Sequence, residues 1–240
     1  MTRRLQFLLA VTVAVAVLTG CTDAGLPEPV TEQGEQTRDL WRVFVVIAAC
    51  IGALVYGLIV YVIVRYRRRQ GTPDRPPDQR QVIVSLEALY TAIPLAIVGL
   101  LLGLSVRTER DVTDLVEDPD LTVHIVGFQW QWQFTYVDED ITVTGTPGET
   151  PELVLPIDST VRFDLESADV VHSFWVPKFL TKMDLIPGVE NSIDVRVTEA
   201  GTWPGVCSEF CGLEHWRMTF TVRALPAEEF SAWVDEQVDR

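Results

Sequence analysis

WPGVCSEFCGLEHWRM, residues 203–218, decides how the rest of the chain reads. It gathers Cys207, Glu209, Cys211, His215 and Met218. Two thiols, an imidazole and a thioether form a soft nitrogen-and-sulfur donor set, suited to copper or zinc and unsuited to magnesium or calcium. Cys211-x3-His215-x2-Met218 alone is the ligand order of a blue-copper loop, which still needs a second imidazole. His172, in VVHSFW at 170–175, is its natural donor. Cys207 changes the chemistry. Two thiolates four residues apart can bridge a pair of copper ions, each then taking one terminal imidazole, His172 or His215, and one weak ligand.

Two competing readings use the same residues. Cys207 and Cys211 form a disulfide if the domain is exported. Alternatively, Cys207, Cys211, His172 and His215 hold a tetrahedral structural zinc. Neither accounts for Met218, a poor zinc ligand and a good copper one.

Working outward, residues 107–240 carry 26 Asp and Glu against 9 Lys and Arg, so the acidity of a chain with net charge −15 resides here. Short β-branched runs at 121–126, 152–157, 160–165, 192–197 and 218–223 are separated by turn segments such as TPGETP at 146–151. Such a pattern indicates a sandwich or barrel. A metal loop between the last two strands points to a Greek-key, cupredoxin-like sandwich, with His172 brought to the same end from a different loop. GFQWQWQF at 127–134 alternates Phe128, Trp130, Trp132 and Phe134 with glutamines, as one strand with an aromatic face. His124 lies outside the metal motif and reads as structural or exposed. Pro226 opens a closing helix with Phe230, Trp233, Val234 and Val238 as its apolar stripe.

The first hundred residues are of another kind. Residues 1–20 have a basic start at Arg3 and Arg4 and a short apolar core, as a signal peptide does. LTGC at 18–21 resembles a bacterial lipobox, which implies lipidation of Cys21. Residues 21–40 read as a flexible external lead. Two apolar spans follow at 41–64 and 86–106, each long enough to cross about 30 Å of hydrocarbon. The loop between them, 65–85, holds RYRRRQGTPDRPPDQR, whose arginines mark it as cytoplasmic. Its place between two spans argues against a nucleic-acid patch. The expected fold is therefore a two-helix transmembrane hairpin followed by an external all-β sandwich at 107–240, in a bacterial cell membrane with the sandwich on the outer face.

Four segments together carry a family resemblance. CSEFCGLEHWRM at 207–218, DVVHSFWVP at 169–177, KMDLIPG at 182–188 and GFQWQWQF resemble subunit II of cytochrome c oxidase, the subunit with the binuclear CuA centre. The resemblance implies that Cys207 and Cys211 bridge two coppers. One copper adds His172 and Met218; the other adds His215 and the backbone carbonyl of Glu209. It further implies electron uptake from cytochrome c through Trp130, docking at Asp169 and Gln129, and delivery to haem in subunit I, where oxygen is reduced and protons are pumped. The Glu209 side chain would face a magnesium ion shared with subunit I. LEALYTAIP at 86–94 resembles the family's second span, which places Glu87, seven residues before Pro94, at the mouth of a proton path. The pattern departs from the family at Phe128, where histidine is usual, and at Gln131, where tyrosine is usual. Two other functions share parts of this architecture: a membrane-tethered copper-binding or assembly protein, and a quinol oxidase subunit, which lacks the copper ligands found here.

Overall fold

The structure is a computed structural model that describes residues 25–67, 82–146 and 148–239. The expected leader at 1–20, Cys21 and most of the basic loop lie outside the described residues. The chain divides into two compact units, Asp39–Glu109 and a second in which Arg110–Arg240 joins the residues up to Arg38.

Helices α1 (Glu32–Arg65) and α2 (Val84–Thr113) supply the first unit. Their most apolar windows have mean hydropathies of 2.8 and 2.1, with no residue buried in either. Helices that are apolar all round and expose Leu54, Ile63, Leu95 and Leu102 to their surroundings have the makings of a membrane anchor. Both run beyond the spans read from hydropathy. Apolarity marks where a helix can meet lipid, whereas hydrogen bonding marks where it ends. Thr31 caps α1, its Oγ1 accepting the Gly34 N–H at 3.0 Å. Pro94 lies inside α2.

The second unit is the expected cupredoxin-like sandwich, with two five-stranded sheets. The first contains β1 (Leu121–Phe128), β2 (Gln131–Tyr136), β3 (Ile141–Thr144), β5 (Thr160–Ser167) and β8 (Asn191–Arg196), in the order β3-β2-β1-β5-β8. The second contains β4 (Glu152–Pro156), β6 (His172–Val176), β7 (Thr181–Leu185), β9 (Gly201–Cys207) and β10 (Thr219–Leu225), in the order β4-β10-β9-β6-β7. Strict alternation along β1 and β2 puts Val123, Ile125, Trp132, Phe134 and Tyr136 inside, each at 0% exposure. Val161, Phe163, Phe174, Phe220 and Val222 meet them from β5 and the opposite sheet. Helix α3 (Ala227–Val238) closes one end, its Trp233 ring 5.0 Å from Tyr136. Val238, expected in its apolar stripe, is 66% exposed because it lies in the last turn, past the core contacts of Phe230, Trp233 and Val234.

Two other expectations are corrected. GFQWQWQF is not one strand. β1 ends at Phe128 and β2 starts at Gln131, antiparallel to it, so Gln129 and Trp130 form the tip of a tight hairpin. Phe128 and Trp130 therefore do not share the inner face of Trp132 and Phe134. The lead expected to be flexible also docks in part. Val30 and Thr31 are 3% and 0% exposed. The Val30 N–H donates to Lys178 O at 3.1 Å, and its carbonyl accepts the Thr198 N–H at 2.9 Å. Thr31 forms a bridge with Val197, just beyond edge strand β8. These backbone bonds are invisible to composition, which is why a polar, Pro-containing stretch read as loose.

Candidate metal centre

Three neighbouring strands of the second sheet bring the ligands to one end. His172 is the first residue of β6, rather than a loop residue, and Cys207 is the last of β9. Phe174 pairs with Cys207 across that boundary. Met218 directly precedes β10, and the Cys207 N–H donates to its carbonyl at 2.9 Å, closing the loop at its base. Cys211 and His215 lie within the loop, His215 opening a single 3-10 turn.

The donor atoms converge. Cys207 Sγ lies 3.9 Å from Cys211 Sγ and 3.8 Å from His172 Nδ1. Cys211 Sγ lies 3.6 Å from His215 Nδ1 and 3.7 Å from Met218 Sδ. The Glu209 carbonyl lies 3.2 Å from Cys207 Sγ. The ligand atoms of His172, Cys207 and Cys211 all fall within 4.8 Å of one another. Both sulfurs are free thiols, so the disulfide reading does not hold in this structure. A sulfur separation of 3.9 Å is less than twice a metal–thiolate bond of about 2.3 Å, so both can touch one ion. The set offers six donors of copper-compatible type, too many for one tetrahedral zinc.

The electrostatics favour a cation here. Burial pushes the Cys207 thiol up, but His172, the Ser173 and Glu209 backbones and His215 together outweigh this and bring it down to about 7. Burial and the neighbouring Cys207 charge push Cys211 up to about 12. Two thiolates so close resist joint ionisation until a metal supplies positive charge.

Around the ligands, Asp169 is an orienter. Its Oδ1 lies 2.7 Å from His172 Nε2, on the far side of the ring from Cys207, and also accepts the Val170 N–H at 2.6 Å. Its Oδ2 accepts the Gln129 N–H at 2.7 Å. Burial raises the carboxyl, but these bonds hold it below the usual range. Burial likewise opposes protonation of His172, yet Cys207 and Asp169 keep its pKa raised. Such carboxylate–imidazole pairs fix the tautomer and direction of a metal-binding ring. The spacing Asp169-x2-His172 was the available sequence signal, which docking alone does not explain. Gly127 is a second feature the sequence reading missed: a Cβ there would sit 3.2 Å from His172 Cγ. Trp132, fully buried, packs edge-on to His172 with ring centres 6.4 Å apart.

The hairpin tip meets the metal loop. Trp130 Nε1–H donates to the Cys211 carbonyl at 3.2 Å, and Gln129 Nε2–H donates to the same oxygen at 2.7 Å. The Glu209 carboxylate points elsewhere, 3.3 Å from Lys182 Nζ. Phe210, Leu213 and Trp216 are 80%, 86% and 75% exposed around it. His124 lies outside the donor cluster, paired with Glu166 at 3.1 Å on the first sheet. Glu87, in the helical unit, lies in the first turn of α2.

Residues 149–225 match the family model described as the periplasmic domain of cytochrome c oxidase subunit II. A probable cytochrome c oxidase subunit 2 of Streptomyces avermitilis is 37% identical, over 96% of this chain and 85% of that protein. A probable cytochrome c oxidase subunit 2 of Mycobacterium leprae is 32% identical, over 100% of this chain and 86% of that protein. Among solved structures, the periplasmic domain of subunit II of cytochrome oxidase of Bradyrhizobium japonicum superposes with a TM-score of 0.48 at 32% identity, covering 52% of this chain and 98% of that one.

Proposed function

The chain belongs to the cytochrome c oxidase subunit II family, and on that premise we propose that it takes electrons from reduced cytochrome c at a binuclear copper centre and passes them to haem in subunit I. The observation that carries this reading is the pair Cys207 and Cys211, with sulfurs 3.9 Å apart, an imidazole beside each and Met218 at 3.7 Å from Cys211. A bound copper pair supplies one-electron uptake and release; its protein frame supplies position and electrostatics.

In this reading Cys207 and Cys211 would hold both ions, with His172 and Met218 as further ligands to one and His215 and the Glu209 carbonyl to the other. Asp169 holds His172 in one orientation. Trp130, half-buried and bonded to the loop, is where a donor haem edge makes its approach. The acidic outer domain draws in a basic cytochrome, with Asp169 and Gln129 near the point of contact. Glu87 receives protons at the cytoplasmic side and hands them toward subunit I. The Glu209 carboxylate, now beside Lys182, would be a ligand to a magnesium ion shared with subunit I. The two helices cross the membrane as a hairpin, with Cys21 lipidated and the sandwich on the outer face.

Metal analysis and paramagnetic resonance on the purified oxidase test the centre. The expected result is two coppers on this subunit and, in the mixed-valence form, one unpaired electron shared equally by two nuclei. Cys207→Ser should confine that electron to one nucleus or empty the site. One zinc per subunit would overturn the reading. Trp130→Ala should slow electron uptake while leaving the copper spectrum in place; an unchanged rate would move the point of uptake elsewhere.

A further inference from the structure

Gln129 reads from sequence as a surface residue offered to a partner, and it is exposed, yet two of its N–H groups are already engaged within the protein. Its backbone N–H is held by Asp169 at 2.7 Å, and its side-chain amide by the Cys211 carbonyl at 2.7 Å. Trp130 Nε1–H shares that oxygen at 3.2 Å. A carbonyl oxygen has two lone pairs, so two donors use its full capacity. Gly212, next along the loop, has φ +123°, a conformation side chains rarely adopt. A Cβ there would stand 3.0 Å from Gln129 Nε2 and 3.2 Å from Trp130 Nε1. The loop backbone is thus shaped to let both donors close on one oxygen.

We propose that Gln129 is a positioning residue for electron uptake: with Trp130 it grips the Cys211 carbonyl and holds the indole on a bonded path to a bridging sulfur. That carbonyl connects through its own carbon, Cα and Cβ to Cys211 Sγ, so Trp130 reaches a ligand atom through one hydrogen bond and then covalent bonds only. In the transfer itself the donor haem is oxidised by one electron and the metal pair is reduced by one; no bond breaks and no proton moves. Gln129 takes no part in that transfer. It removes the freedom of the hairpin tip to swing the indole off the loop, and such freedom is costly, since electron transfer slows steeply as a bonded contact on its path opens into a gap. The proposal rests on Trp130 being the point of uptake and adds to it the Cys211 side of the route and the residue that secures it.

Gln129→Leu keeps the bulk and removes the donor; Gln129→Glu keeps the length and leaves only acceptors. Each is examined in the purified oxidase against reduced cytochrome c. Stopped-flow kinetics separate second-order association from the first-order reduction of copper in the bound pair. The expected result is full copper content, an unchanged copper absorption spectrum, unchanged association, and a several-fold slower first-order phase. Gly212→Ala, whose Cβ would crowd both donors away from the carbonyl while leaving their side chains unchanged, should slow the same phase. In a Trp130→Ala background, Gln129→Leu should have no additional effect on the rate, because it acts through the indole. A wild-type first-order phase with slower association would make Gln129 a docking residue and overturn the proposal, as would loss of copper from Gln129→Leu. If Trp130→Ala alone reduces at the wild-type rate, the reading of Trp130 fails first. If Trp130→Ala is slow and Gln129→Leu is not, only the present proposal fails.

Discussion

Asp169→Ala distinguishes a carboxylate that holds a ligand from one that merely greets a partner. The wild-type side chain, 32% exposed, accepts from His172 Nε2, Gln129 N and Val170 N at 2.7, 2.7 and 2.6 Å. The two backbone donors lie near solvent and can rehydrate once it is gone. His172, at 0% exposure, cannot. A buried donor left unpaired costs about 1–3 kcal/mol. Loss of the partner behind a metal-binding imidazole typically lowers metal affinity by about 10–100-fold, or roughly 1.4–2.7 kcal/mol. The two routes agree in scale. Copper affinity of the detergent-solubilised chain, measured by competition with a calibrated chelator, should therefore fall by one to two orders of magnitude. Asp169→Asn, which keeps an oxygen for His172, should fall between. Unchanged affinity in Asp169→Ala, with slower cytochrome association alone, would refute the orienting role.

Arg162 makes a two-pronged pair with Asp194, both bonds at 2.8 Å, and Asp194 is 3% exposed and also accepts the Val116 N–H at 2.6 Å. Arg162→Ala leaves that carboxylate buried with no opposite charge beside it, and urea unfolding should register a loss of about 3–5 kcal/mol; a loss under 1 kcal/mol would contradict this. Burial holds the Tyr136 phenol above the usual range. Unfolded tyrosine titrates near 10, so the group's stabilising contribution is whole below about pH 10 and wanes above it. Tyr136→Phe should abolish that alkaline fall relative to wild type in thermal scans. It should also cost about 1–3 kcal/mol at neutral pH, since the Val154 N–H and carbonyl both lose the hydroxyl. With 26 acids against 9 bases at 107–240, association with a basic cytochrome c should slow as salt rises and screening shortens toward about 8 Å; salt-independent rates would argue for a donor held permanently in place.

The metal loop was legible because ligand chemistry is local: two thiols, an imidazole and a thioether announce themselves by type and spacing. The strands around it were less so. β9 was missed because Gly201, Pro204 and Gly205 break up any β-branched run there. Proline is tolerated there since β6 pairs only with Val206 and Cys207, leaving the earlier part of β9 without a neighbour on that side. β6 and β7 flank the KF turn at Lys178 and Phe179, and their burial does not alternate cleanly enough to show period two. The hairpin at Gln129 and Trp130 lacks the Asn-Gly or Gly-containing pair that usually marks such a turn. What sets it is tertiary: Asp169 holds its backbone and Cys211 its side chains. The docking of Val30 and Thr31 is of the same kind, made by backbone bonds that composition does not encode.

The closed base of the loop has a consequence for order of assembly. Because Cys207 N–H already bonds Met218 O, and His172 and Met218 are seated in the core, the chain entropy of bringing these donors together is met by folding rather than by metal. On the proposed function copper would therefore meet a receptacle already shaped by folding, with both thiols in place. Of its ligand side chains only His215 is not buried, so the receptacle has one open wall. On the proposed function an ion would enter past His215, without the loop having to open at its base.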